Sequence, residues 1–179
     1  MNHPPDDITP PELARLAVEA FIGRGKRIEP PSSPQGILAQ HAGVFVTLRT
    51  TDGDLRGCIG TIEPEAQTVA EEIIENAIRA ATRDPRFSAV KPGELQRLMY
   101  GVDTLAPPEP ARGVEDLDPS VYGVIIETQD GSRRGLLLPR IAGIDTAEQQ
   151  WVAVHLKAGI RVGACVRVQR FTVMRYGKD

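Results

Sequence analysis

Leu55-Arg56-Gly57-Cys58-Ile59-Gly60 places a thiol and a guanidinium two residues apart, with one glycine between them and a second two residues on. Side chains alternate along a strand, so Arg56 and Cys58 are expected on one face. A nearby positive charge favours the thiolate, the nucleophilic form of cysteine. Gly57 and Gly60 leave room for a substrate or another backbone to come close. A thiol catalyst would also need donors for a developing oxyanion, which amides near these glycines can supply, and a base. The other reading of the same residues is structural. Cys58 is then a small apolar side chain, and the glycines mark a bulge or tight packing.

The elements around this stretch are legible in the sequence. An apolar run, Val44–Leu48, precedes the turn Thr51-Asp52-Gly53-Asp54, so residues 44–62 read as a hairpin. Thr68-Val69-Ala70-Glu71 is a capping box opening a helix that buries Val69, Ile73, Ala77, Ile78 and Ala81 and stops at Asp84-Pro85. An earlier helix starts near Pro10-Pro11 and ends at Gly23 or Gly25, and residues 1–10 read as a disordered arm. A short helix at Pro92–Leu98 and a strand at Tyr100–Leu105 lead to a proline-rich stretch, 106–118, which is the expected lobe boundary. Strands at 123–128 and 133–138 flank Asp130-Gly131 as a second hairpin. Asp145-Thr146-Ala147-Glu148 caps a helix closed by Gly159, and Val162, Ala164, Val166 and Val168 alternate as a final strand. Trp151 reads as a core anchor. The expected fold is α+β: one domain over 11–179, a mainly antiparallel sheet with flanking helices, and two lobes meeting near the Leu-Arg-Gly-Cys-Ile-Gly hairpin.

Composition narrows the function classes. Basic residues number 21 against 24 acidic ones, a net charge of −3, and aromatics make up 4%. That balance argues against a nucleic-acid surface or a base-stacking platform. No apolar run reaches the roughly 20 residues of a membrane span, and the N-terminus lacks a signal-peptide pattern, so the expected location is cytoplasmic. Two distant cysteines and three scattered histidines match no zinc or cluster spacing, so no metal or other cofactor is expected.

The chain also resembles a known family. Gly43–Leu48, the hexapeptide, Glu75-Asn76-Ala77, Asp84-Pro85-Arg86-Phe87, Leu105 with Pro107-Pro108-Glu109-Pro110, Gly135–Pro139 and Lys157–Ile160 are similar, in order, to motifs of the AMMECR-one domain family. That family is also called AmmeMemoRadiSam system protein A, and its biochemical activity is not settled. The resemblance implies an acidic partner near Glu75, although pairing with Arg79 on a solvated helix face is an equal reading. It also implies partner proteins of the radical-SAM and Memo types. Three positions depart from the family pattern: Arg140 stands where glutamine is usual, His155 where cysteine is usual and Tyr122 where histidine is usual. Two functions follow as expectations. One is an enzyme using Cys58 as a reactive thiol on a small-molecule or protein substrate, with Arg56 and Glu75 assisting. The alternative is a non-catalytic adaptor for the partner proteins.

Overall fold

The computed structural model describes residues 3–177. Its elements are α1 (Pro10–Arg24), β1 (Val44–Thr50), β2 (Leu55–Thr61), α2 (Val69–Thr82), β3 (Leu98–Leu105), β4 (Glu109–Ala111), β5 (Gly123–Thr128), β6 (Arg134–Leu137), α3 (Ala147–Ala158), β7 (Val166–Phe171) and β8 (Val173–Tyr176). The fold is α+β, with two four-stranded sheets ordered β2-β1-β3-β8 and β4-β7-β5-β6 and flanking helices. The pairs β1–β2, β1–β3, β4–β7, β5–β6 and β5–β7 are antiparallel. Contacts divide the chain into two compact units. One holds the chain up to Thr104 together with the residues from Met174 on, and the other is Leu105–Val173.

In the first unit, alternation on β1 sends Val44, Val46 and Leu48 into the core and leaves Phe45, Thr47 and Arg49 on the other side. The inward side packs on Leu13 and Val18 of α1 and on Val69, Ile73 and Ala77 of α2. The predicted capping box forms at the start of α2. The Thr68 hydroxyl accepts from Glu71 N, and the Glu71 carboxylate accepts from Thr68 N. Gly25 closes α1 in the left-handed region, at φ 64°. The first described residues are tied to the loop that follows α1. His3 Nδ1 bonds Pro30 O, and Ser33 N donates to Asp6 Oδ1 at 2.9 Å.

In the second unit, Val124, Ile126, Leu137, Val154, Ile160 and Val168 form the core between α3 and its sheet. Two expectations shift here. The N-cap of α3 is Thr146, with Gln149 reaching back to it, one residue after the Asp145–Glu148 pattern. Both registers satisfy the local rule, and the structure uses the later one. The expected single tail strand is also not what forms. Ala164 N bonds Arg161 O in a turn with Gly163 at φ 90°. The tail then supplies two strands, β7 to the second sheet and β8 to the first.

Candidate functional site

Cys58 lies on β2, an edge strand of the first sheet, opposite Thr47 of β1. Its half-buried side chain points away from the helices, because its neighbour Gly57 faces α2. A Cβ on Gly57 would stand 2.2 Å from Ala80 O. Thr47 Oγ1 donates to Cys58 Sγ at 3.4 Å. The Cys58 N–H bonds the carboxylate of Asp84, at 2.8 Å to Oδ2. An edge strand leaves such groups without a strand partner, and Asp84 fills that role here.

Asp84 is the junction of the site. Its side chain is 2% exposed, while that of Arg86 is 55% exposed. Besides Cys58 N, the carboxylate accepts from Arg86 N at 3.0 Å, Arg86 Nε at 3.0 Å and Arg86 Nη2 at 2.7 Å. Two donors reach each oxygen, so the acceptor positions are filled. The hydrogen bonds from Arg86 hold the Asp84 carboxyl far below the usual carboxylate range, against the cost of its burial. The same bonds hold Arg86 above its ordinary value. Asp84 is therefore a poor proton acceptor and a rigid mount. It fixes the Cys58 backbone and an exposed guanidinium at one point.

The low Asp84 pKa makes a pH prediction. A carboxylate depressed by folding stabilises the protein fully above its unfolded value, near 3.9, and the benefit fades as pH falls. The stability gap between the wild type and Asp84→Asn should narrow as pH falls from about 5 to about 2. Denaturation midpoints along that range check it, and a constant gap counts against it.

Arg56 is placed differently from the expectation. Leu48 pairs with Gly57 but Arg49 pairs with Leu55, so Arg56 is the extra residue of a bulge. Simple alternation from Cys58 fails across that bulge. The Arg56 guanidinium bonds Glu94 through Nε at 2.9 Å and Nη2 at 3.2 Å, and bonds Ser88 O through Nη1 at 3.0 Å. Its charge is matched by Glu94, whose carboxyl those bonds pull below the ordinary value. The Phe87 ring lies 6.0 Å from the Arg56 guanidinium and 5.5 Å from that of Arg86, within cation–π range of both.

Glu75 is not brought to Cys58. It sits on α2 and pairs with Arg79 at 2.9 Å and with Arg27. The space over the two glycines is also taken. The Ala80 carbonyl covers Gly57, and the Phe45 ring would lie 2.3 Å from a Cβ on Gly60. In the sequence, Asp84 and Arg86 stand out as a helix stop and a family motif, and neither pattern ties them to Cys58. The signal that finds them was the Asp84-Pro85-Arg86-Phe87 match itself. The three departures from the family pattern fall in the second unit. Arg140 holds a left-handed backbone, φ 58°, and its Nε donates to Ser120 O. His155 is buried, with Nδ1 2.8 Å from Trp151 O. Tyr122 O accepts from Gln150 Nε2, and its ring lies under Arg170.

Among the described residues, no group of three His, Cys, Asp or Glu side chains could hold a metal ion. Also among them, no helix is long and apolar enough to cross a membrane.

The sequence profile of the AMMECR1 family matches residues 11–179. The chain belongs to the AMMECR1 family. A Thermotoga maritima relative is 52% identical over 161 residues, covering 89% of this chain and 91% of the relative. A Clostridium acetobutylicum relative is 41% identical over 92% of this chain, which spans only 35% of that longer protein. Among solved structures, the uncharacterised protein PH0010 from Pyrococcus horikoshii is similar. Its TM-score is 0.85 and its identity 32%, covering 95% of this chain and 90% of that one. With its motifs spread over both units, this AMMECR1 chain carries the hexapeptide and the Asp84–Phe87 segment as one local constellation.

Proposed function

We propose that Cys58 is a reactive thiol that takes up an electrophilic group from an anionic substrate, with Arg86 steering the anion. The observation that supports this reading is the Asp84 junction, which bonds Cys58 N and Arg86 through one buried carboxylate. In the proposed step, Cys58 loses its proton to water, because Asp84 has no free acceptor position. The sulfur then forms a bond to the electrophilic carbon, and the leaving group departs with the electrons of the broken bond. Thr47 supplies a donor at the sulfur. Arg56 acts at a distance, as the mount of Glu94 and the 88–94 segment. The test is alkylation of the native chain in a Cys165→Ser background, since Cys165 is exposed and would react too. Cys58 should label without denaturant, and Arg56→Met should change its rate less than Arg86→Gln. A Cys58 that labels only after unfolding ends this reading.

A second reading has its own support. The Clostridium relative contains this length of chain within a protein roughly three times as long. An AMMECR1 unit can therefore work joined to other sequence. An adaptor presenting the Cys58 face to a radical-SAM or Memo-type protein fits that arrangement, with the missing base supplied by the partner. Purified partners of both types, titrated against the chain and against Arg86→Gln, test this reading.

A further inference from the structure

The side of α3 turned away from its own core carries Val152 at 54% and Leu156 at 82% relative exposure, one turn apart. Leu156 is the most exposed of the large apolar side chains among the described residues. Val162, 50% exposed, follows just past the helix end. Gly159 closes the helix on the same side and adds no Cβ to it. The ends of this stripe carry opposite charges. Exposed Asp145 and Glu148 stand at the N-terminal end, while exposed Arg161 stands at the C-terminal end with Arg133, which donates to Gly159 O. Glu148 and Arg161 have no ion-pair partner among the described residues.

We propose that this face is a contact between two copies of the chain, with their α3 helices antiparallel across a two-fold axis. A two-fold contact must be self-complementary, and this pattern is. With the axis between Val152 and Leu156, the acidic end of one helix meets the basic end of the other. The apolar pair then packs on its own copy, and Gly159 lets the backbones come close. The opposite arrangement, with helices parallel, sets like charges together and is disfavoured. Two apolar side chains per copy with a charged rim make a small contact, so the dimer should be weak, with a dissociation constant on the order of 10 µM.

Sedimentation equilibrium of the full chain from about 1 to about 200 µM tests this. The wild type should pass from monomer to dimer across that range. Leu156→Lys should weaken the dimer at least tenfold, and circular dichroism should confirm an intact fold. Arg161→Glu and Glu148→Arg should each weaken it severalfold, and the double variant should recover, because swapped charges meet each other across the axis. A monomer at the highest concentration overturns the proposal. So does a dimer indifferent to Leu156→Lys, or one whose double charge swap is no better than the single ones.

Discussion

Gly57→Ala should destabilise this protein by about 3 kcal/mol, toward the upper end of the cost of overpacking a core. The new methyl carbon would lie 2.2 Å from Ala80 O and 3.1 Å from Ala80 C. Both atoms are helix backbone, and Ala80 is itself buried in the core, so no flexible side chain can yield. Relief requires α2 to move off the sheet, which opens contacts made by Ile73 and Ala77. Gly57 does not lie in the left-handed region, so the effect is steric and not conformational. The corresponding fall in Tm is roughly 10 °C for a chain of this size. Chemical denaturation measures it. A loss within about 0.5 kcal/mol, coupled to loss of Cys58 labelling, would instead show that the glycine clears space for a ligand.

Glu72→Ala should cost about as much, near 3 kcal/mol, for a different reason. The Glu72 side chain lies in the first turn of α2, and the residue is 1% exposed. One oxygen accepts from the N–H groups of Glu65 and Ala66, the latter at 2.7 Å. The other accepts from Thr61 Oγ1 at 2.6 Å and Asn76 Nδ2 at 3.2 Å. Truncation strands three donors, the N–H groups of Glu65 and Ala66 and the Thr61 hydroxyl, while Asn76 Nδ2 keeps Val44 O, and each buried unsatisfied group costs roughly 1–3 kcal/mol. Glu72 lines a surface depression of about 460 Å³, so water can replace part of the loss. That keeps the expected total well below the sum. Glu72→Gln keeps one acceptor and should cost less than Ala. Equal stability of the wild type and the alanine variant would mean that the 63–67 loop is not held by this carboxylate.

What the sequence shows here follows the range of each interaction. Thr68 and Glu71 are three residues apart, and their capping box needs nothing beyond those residues, so it reads directly. The alternation of Val44, Val46 and Leu48 is equally local. The bulge at Arg56 is a two-against-one count between strands, and Gly57 beside it is equally compatible with a bulge or with tight packing, so the sequence does not place it. The bond from Cys58 to Asp84 spans 26 residues, and the one from Arg56 to Glu94 spans 38. Neither pairing leaves a pattern along the chain. Alternation assigned Arg56 to the thiol, whereas Asp84 mounts Arg86 beside it. The split of the tail into β7 and β8 depends likewise on two sheets far apart in sequence.

The assembled residues limit the chemistry this chain can perform alone. The two guanidiniums of this site each have a carboxylate partner, Arg56 with Glu94 and Arg86 with Asp84. Their exposures differ, because Asp84 is covered and Arg86 is open. An approaching anion therefore meets the positive end of the Asp84–Arg86 pair. Exposed charge interactions are worth up to about 1 kcal/mol, a rate factor of roughly five. The most direct measurement is the ratio of Cys58 alkylation rates with iodoacetate and iodoacetamide, in the Cys165→Ser background. It should exceed the ratio for a free cysteine derivative by about fivefold and fall to that level or below in Arg86→Gln. The iodoacetamide rate should change by less than about twofold. Equal ratios in the wild type and Arg86→Gln would contradict the assignment of Arg86 as the anion-steering group.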